Sequence, residues 1–281
     1  VQRTSSEPLD LLKTAVEIAR RAADTAARMR AEAVSSTIDT KSTDTDVVTA
    51  ADRAVERQIA EELRTLRPGD ALLGEEYGES AAEDGDHAAG AASGGRVRWI
   101  VDPIDGTVNY LYGLPQYAVS IAAEVDGVVL AGVVRNAATG DEWTATRGGG
   151  AFHDGRPIRG SRQTVLGQAL VGTGFGYDAA RRTHQAGVLS GLLPYVRDIR
   201  RFGAASLDLC FAAEGLIDAY YEKGLNPWDH AAGGLVAQEA GLIVAGLNGA
   251  EPGLPMVIAA PPALFAPLHV RLSALDASGG A

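Results

Sequence analysis

The residues with the most chemistry in them form one short stretch, Trp99-Ile100-Val101-Asp102-Pro103-Ile104-Asp105-Gly106-Thr107. An apolar run ends there in two carboxylates three residues apart. Carboxylates this close repel each other, and without a cation one is driven to keep its proton. A divalent cation removes the conflict, and a donor set made only of oxygens favours Mg²⁺. Gly106 and Thr107 follow at an expected helix start, where backbone N–H groups can cradle a phosphate. Pro103, with its fixed φ, suits that start. A plainer reading has Asp102 capping a helix and Asp105 as a solvated first-turn charge. It loses ground because other carboxylates stand at similar ends. Leu72-Leu73-Gly74 runs into Glu75-Glu76, Pro227-Trp228 runs into Asp229, and Asp46 and Asp52 flank Val47-Val48-Thr49-Ala50-Ala51.

For these groups to meet, the elements that carry them must end at one place. Pro8 suits a first helical turn, and Leu9, Leu12 and Val16 continue at helical spacing into Ala-rich sequence as far as Ala33. Ser35–Asp46 is polar, short of apolar anchors and reads as a mobile connection. Val55, Ile59, Leu63 and Leu66 make one stripe, which predicts a second helix over Asp52–Leu66, stopped by Arg67-Pro68-Gly69. Strands are expected at Ala71–Leu73, Val97–Val101, Tyr117–Val125 and Val128–Val134, the last two joined by the hairpin dipeptide Asp126-Gly127. Gly78–Arg96, rich in Gly, Ala, Asp and Glu, reads as a surface excursion.

Beyond Gly155 strands and helices alternate. Strands are expected near Ala169–Val171, Ile199–Phe202, Ile217–Tyr221, Leu242–Val244 and Met256–Ala259, and helices over Ala180–Leu193, Ala204–Ala213, Trp228–Ala240 and Pro262–Leu275. A helix pair on an antiparallel sheet followed by this alternation predicts a layered α/β protein of two subdomains, residues 1–155 and 156–281, with the site between them. The strand before Asp102 then delivers its carboxylates to the end of a sheet, where α/β proteins place their ligands.

Composition narrows the classes of function. The 281 residues suffice for a substantial core, and 46% apolar with 22% charged is ordinary globular usage. Lys and Arg number 25 against 36 Asp and Glu, a net charge of −11. That balance argues against nucleic acid or an anionic membrane as partner. It does not oppose an anionic small substrate once metal ions stand between. No run approaches 18 uninterrupted apolar residues, and Val1–Pro8 has no signal-peptide core. The single cysteine, Cys210, permits no intramolecular disulfide and lies in an apolar stretch as a small hydrophobe rather than a nucleophile. These features fit a cytoplasmic enzyme. The five histidines show no Zn²⁺ spacing, and there is no G-x-S-x-G serine-hydrolase motif. Gly172-Thr173-Gly174-Phe175-Gly176-Tyr177 follows a strand, but Tyr177 stands where a dinucleotide fingerprint needs its last glycine. It reads as a loop beside the site.

Taken together, the motifs resemble the inositol monophosphatase family of Mg²⁺-dependent, lithium-sensitive phosphatases. Trp99–Tyr110 is similar to its W-[IV]-x-D-P-[IL]-D-G-T-x-N-[FY] signature. Trp228-Asp229-His230-Ala231-Ala232-Gly233 with Glu239-Ala240-Gly241 resembles the second signature. Gly74-Glu75-Glu76, Asp46–Asp52 and Asp218-Ala219-Tyr220-Tyr221-Glu222 supply its smaller elements, and all occur in family order over most of the chain. Gly78–Arg96 falls outside the match. His230 replaces a residue that is non-ionisable in many relatives, and Asp44 stands where proline is frequent.

The resemblance implies a layered αβαβα fold of the inositol monophosphatase/fructose-1,6-bisphosphatase type, a homodimer, and two to three Mg²⁺ per site. It implies that Glu75, Asp102 and the main-chain carbonyl of Ile104 bind one ion, and that Asp102, Asp105 and Asp229 bind another. Glu75 and Thr107 would position the metal-activated water, backed by Asp52 and Thr49. Gly106 and Thr107 would hold phosphate through their N–H groups. Glu222 and the segment Gly203-Ala204-Ala205, with Asp105 and Asp229, would meet the polyol. Lys41 and Asp46 would belong to a lid-like loop that helps to hold a third ion. The implied reaction is hydrolysis of myo-inositol 1-phosphate. Histidinol phosphate, fructose 1,6-bisphosphate, 3′-phosphoadenosine nucleotides and NADP remain open as substrates, since the leaving-group pocket sets the choice. A non-catalytic binding role is the distant alternative.

Overall fold

The computed structural model describes residues 7–36, 44–80 and 96–280, with side chains throughout except at 33–36 and 44–49. Two long helices, α1 (Pro8–Ser36) and α2 (Asp44–Leu66), open the chain. Eight strands follow: β1 (Ala71–Gly74), β2 (Gly78–Ser80), β3 (Val97–Asp105), β4 (Ala118–Val125), β5 (Val128–Asn136), β6 (Glu142–Thr146), β7 (Gly150–His153) and β8 (Arg156–Pro157), with a short helix α3 (Thr107–Tyr112) after β3. They form one sheet in the order β2-β1-β3-β4-β5-β6-β7-β8, antiparallel apart from the β1–β3 pair. The remaining elements are β9 (Leu170–Thr173), α4 (Ala179–Leu192), β10 (Asp198–Arg200), α5 (Ala205–Glu214), β11 (Ala219–Glu222), α6 (Pro227–Glu239), β12 (Ile243–Ala245), β13 (Val257–Ala260) and α7 (Pro262–Ala274). Their five strands form a second sheet, β10-β9-β11-β13-β12.

The side-chain periodicities decide how these pieces stack. Along β4 Val119, Ile121 and Ala123 face one way and pack with Leu11, Ile18, Val55 and Ile59 of the helix pair. Ala118 and Ala122 face the other way and join Leu207, Leu235 and Val236 of α5 and α6. That middle layer is apolar on most sides, as a helix covered on two faces must be. Its far side meets Tyr220, Val257 and Ala259 of the second sheet. The opposite face of that sheet carries Val171, Tyr221 and Ile258, covered by Val188 and Leu192 of α4 and Leu264, Leu268 and Leu272 of α7. The result is the αβαβα layering expected from the sequence. Among the described residues no helix is long and apolar enough to cross a membrane.

Three expectations need correction. The second helix starts at Asp44, not Asp52, so Asp44–Asp46 belongs to it rather than to a connection. Ala51 continues the buried stripe of Val55, Ile59 and Leu63 one turn upstream, and acidic residues suit a helix N-terminus. Pro103 does not start a helix. β3 runs on through it to Asp105, with a register shift against β4 between Asp102 and Asp105. A bulge has no ladder bond for the proline to break, and the helix begins only at Thr107, after Gly106 in a left-handed conformation. Finally, Gly78–Ser80 is not part of a surface excursion but pairs with β1 as β2. Residues 81–95 lie outside the described residues.

Gly106 is the hinge between strand and helix. Its φ is +90°, and a Cβ there would stand 2.6 Å from the Gln116 carbonyl oxygen and 3.0 Å from Cβ of Ala204. Gly106→Ala should therefore lower unfolding stability by more than the about 1–3 kcal/mol that such a backbone conformation alone costs a non-glycine residue. Urea denaturation reads this, and an unchanged midpoint would show that the turn can relax.

Candidate active site

The bulge at the end of β3 places both aspartates in the interior, Asp102 2% and Asp105 8% exposed. Local bonds hold each. Asp102 Oδ1 accepts from the N–H of Ile104 at 3.1 Å. Asp105 reaches across to the middle layer, where Oδ1 accepts from the N–H of Ala205 at 3.2 Å and Oδ2 from the N–H and hydroxyl of Ser206 at 2.7 and 2.5 Å. The N-terminus of α5 thus rests on this carboxylate, a favourable pairing of negative charge with unpaired N–H groups. Asp229 lies in the first turn of α6, where Oδ2 accepts from the N–H of Asn226 at 2.6 Å in a capping box. Gly74 closes β1, and the following turn is fixed from α2: the buried Glu56 accepts from the N–H groups of Glu76 and Tyr77 at 2.8 and 3.0 Å. Glu56 also fills the space that a Cβ at Gly74 would need.

These elements open into one cleft of about 380 Å³. Glu75, Asp102, Asp105, Gly106, Thr107, Gly203, Ala205, Glu222 and Asp229 all line it. The loop Gly174-Phe175-Gly176-Tyr177 forms part of its wall, as expected, and Arg181, Arg201 and Lys223 add positive charge. Ala204 lies buried behind the lining at 1% exposure. Asp52 is also buried, and its Oδ1 has no hydrogen-bond partner. The Thr107 hydroxyl donates to the Ile104 carbonyl at 3.3 Å. The side chains of Thr49 and Asp46 are not among those described, and Lys41 lies outside the described residues.

Crowded negative charge dominates the electrostatics. Burial first, then Glu75 and Asp105, raise Asp102 well above the usual carboxylate range. Burial, then the charge of Glu75, pushes Asp52 up to about 8. Burial and the charge of Asp105 push Asp229 up to about 8, against the pull of its Asn226 bond. Glu75 opens to solvent on the cleft side but is hemmed in elsewhere, and this with Asp105 lifts it to about 7. Asp105 is raised by burial too, with the Ser206, Ala205 and Gly106 donors working against the rise. Glu222 goes up to about 7 through burial, opposed by the Tyr220 hydroxyl that donates to it and by Arg201.

Sequence reasoning missed several residues that build this place. Glu56 gave a signal, since it lies one helical turn beyond Asp52 and beside the apolar stripe. Ser206 gave none. Asn109 ties α3 to the segment before Gly203 by donating to the carbonyls of Gln116 and Phe202 at 2.8 and 2.7 Å. Asp208, one turn into α5, is 1% exposed, and burial raises it well above the usual carboxylate range. Cys210 is wholly buried, in keeping with a packing role.

Layering and cleft together define a layered α/β fold with an acidic cleft, and the comparisons give its class. A sequence model of the inositol monophosphatase family matches residues 7–273. Inositol-1-monophosphatase of Mycobacterium leprae is 46% identical over 230 residues, 80% of this chain and 77% of that protein. Inositol-1-monophosphatase SuhB of Mycobacterium tuberculosis is 42% identical over 273 residues, 92% of each chain. The solved structure of Mycobacterium tuberculosis SuhB superposes with a TM-score of 0.82 at 40% identity, covering 98% of this chain and 100% of that one. The chain belongs to the inositol monophosphatase family and is a phosphoric monoester hydrolase.

The raised carboxyls fix the sign of a pH effect. Asp52, Glu75 and Asp229 ordinarily titrate near 4 and here near 7 to 8. Between those limits the folded chain binds more protons than the unfolded one, so stability falls as pH rises. In chelator, the thermal midpoint should drop from about pH 5 to about pH 8, and added Mg²⁺ should flatten the fall. A midpoint that climbs with pH over that range would contradict the charge crowding.

Proposed function

We propose that this chain hydrolyses the phosphate monoester of a polyol, myo-inositol 1-phosphate, with Mg²⁺ held by the cleft carboxylates. The observation that carries the reading is the convergence of Glu75, Asp102, Asp105 and Asp229 on one cleft that Glu222 also faces. The donors are oxygens alone, crowded and raised in pKa, and a hard divalent cation relieves that crowding. Glu75, Asp102 and the Ile104 carbonyl would hold one ion, and Asp102, Asp105 and Asp229 another. Bound there, Mg²⁺ supplies charge neutralisation for the phosphoryl oxygens and lowers the pKa of water.

The chain's own groups position the reactants. Glu75 and the Thr107 hydroxyl orient the water that attacks phosphorus, and the buried Asp52 of α2 backs them. The N–H groups of Gly106 and Thr107 hold the phosphate. Water oxygen adds to phosphorus in line with the ester oxygen, the phosphorus–ester bond breaks, and the alcohol leaves. On the leaving-group side, Glu222 accepts from polyol hydroxyls beside the backbone of Gly203-Ala204-Ala205. Tyr220, donating to Glu222 from beneath, fixes the orientation of that carboxylate.

Phosphate release with and without Mg²⁺ tests the reading on inositol 1-phosphate, histidinol phosphate, fructose 1,6-bisphosphate and 3′-phosphoadenosine 5′-phosphate. A Mg²⁺-dependent preference for the first is expected. Preference for another ester keeps the reaction and replaces the substrate, and no turnover on any rejects the proposal. Asp102→Asn should cut turnover by roughly 10³-fold or more, the scale of losing a principal electrostatic element, with the thermal midpoint in chelator held or raised. A near-normal rate in Asp102→Asn would refute the metal assignment. Glu222→Gln should lower kcat/KM for inositol 1-phosphate by about 10-fold or more while sparing a simple aryl phosphate. An equal loss on both would remove Glu222 from substrate selection.

A further inference from the structure

A second group of ligand atoms converges away from the cleft, at the far side of the first sheet. Asp141 precedes β6, His153 ends β7, and Asp154 follows it in a left-handed turn, φ 48°. One ligand atom from each lies within 4.8 Å of the other two. None of the three lines the catalytic cleft.

The imidazole is fixed in every respect. Its ring stacks on Trp143, its cross-strand neighbour, with centroids 4.4 Å apart and planes at 19°. Nδ1 lies 3.0 Å from Glu214 Oε1 at the end of α5, and Glu214 Oε2 accepts from the Trp143 indole N–H at 3.1 Å. A carboxylate can only accept, so Nδ1 carries the proton. Nε2 is then the free end, buried and without a hydrogen-bond partner. It faces Asp141 Oδ1 at 3.6 Å and Asp154 Oδ2 at 3.8 Å.

Each aspartate is anchored through its other oxygen. Asp141 Oδ2 accepts from the Thr139 hydroxyl at 2.6 Å, and Asp154 Oδ1 from the N–H of Glu142 at 3.2 Å. Arg20 and Arg135 from the neighbouring elements donate to Glu142. Two readings of Nε2 compete. An imidazolium N–H would draw one carboxylate to an ordinary hydrogen-bond length of about 2.7–3.2 Å, and neither is that close. Two ligands bonded at about 2.0–2.2 Å to one tetrahedral ion stand about 3.4 Å apart, close to the spacing seen. Hydrogen bonding of the other imidazole nitrogen to a carboxylate is also how metal-binding histidines are held.

We propose that Asp141, His153 and Asp154 form a second cation site, for a divalent transition metal of the Zn²⁺ class. An imidazole beside two carboxylates suits such an ion better than Mg²⁺. The ion clips the turn before β6 to the turn after β7 and completes its coordination with water. The site does not depend on the phosphatase reading.

Nitrogen NMR of the His153 ring tests it on the full chain, with Mg²⁺ present in excess to occupy the catalytic carboxylates. The expected result is a ring protonated at Nδ1, whose Nε2 signal shifts on titration with Zn²⁺. The double variant Asp141→Asn/Asp154→Asn should weaken that response by about 10-fold or more, and Glu214→Gln by about 10- to 100-fold, the usual effect of altering an outer-shell partner. Catalytic turnover with Mg²⁺ serves as the folding control for both variants. An Nε2 signal unmoved by Zn²⁺ would overturn the proposal, as would an equal response in the double variant, or an Nε2 proton that persists at neutral pH under excess Zn²⁺.

Discussion

Carboxylates gathered where water is scarce repel one another, and the architecture around the cleft is organised against that repulsion. Asp52, Asp102 and Asp105 are buried and Asp229 is half-buried; burial raises every one of them, and neighbouring carboxylate charge adds to the rise at Asp52, Asp102 and Asp229. An isolated buried charge would pull toward solvent or take a proton. What prevents relaxation here is a set of backbone N–H groups on rigid elements. Ala205 and Ser206 hold Asp105, Asn226 holds Asp229, and Ile104 holds Asp102. Ala205, Ser206 and Asn226 sit at helix starts, and Ile104 at the bulge of β3, places where N–H groups lack a partner inside the element. The same bonds satisfy the helix ends and aim the carboxylates.

That constraint explains why the layers come in this order. β3 ends between the helix pair and the middle layer, so its last residues can meet the N-termini of both α5 and α6. The bulge at Pro103 and the left-handed Gly106 turn the chain sharply enough for Asp105 to reach α5 while Asp102 stays in the ladder against Ser120. From the outer side α2 contributes Glu56, whose carboxylate orders the turn carrying Glu75. Three layers must dock correctly before the cleft exists. An error in any of them leaves a buried charge without its donors, a penalty larger than most packing losses.

The parts of this arrangement legible in the sequence were those written as local pattern. The stripe Val55, Ile59, Leu63 and the Asp126-Gly127 hairpin are short-range signals, and both fell where expected; of the carboxylates at the ends of apolar runs, Asp105 ends β3 and Asp229 lies in the first turn of α6, while Asp46 and Asp52 lie within α2. The start of α2 did not fall where expected: eight residues of the helix, 44–51, precede the expected start, and Asp44, Thr45, Asp46 and Thr49 interrupt the apolar pattern there. The bulge was misread because proline after an aspartate looks the same at a helix start as in an interrupted strand. Only the pairing of β3 with β4, set by distant residues, separates the two. Glu56, Ser206 and Asn109 were missed for a related reason. Glu56 and Ser206 find partners 20 to 101 residues away, and Asn109 joins Gln116 to Phe202, 93 residues away from it; no spacing rule reaches that far.

The two clusters of ligand atoms resolve the same repulsion with different donors, and the difference is chemical rather than a matter of degree. In the cleft all donors are oxygens, and backbone N–H groups hold Asp102, Asp105 and Asp229 facing inward. A hard, oxygen-seeking ion is the natural counter-charge there. At the edge of the sheet an imidazole nitrogen takes one place in three, and a stacked indole and a carboxylate set its tautomer. Nitrogen donors shift the preference toward softer ions along the transition series. One chain can thus keep two kinds of divalent ion apart by donor type alone. The edge cluster joins turns of neighbouring strands, while the cleft cluster joins layers. The edge cluster also touches α5, through Glu214, at the opposite end of that helix from the N–H groups that hold Asp105.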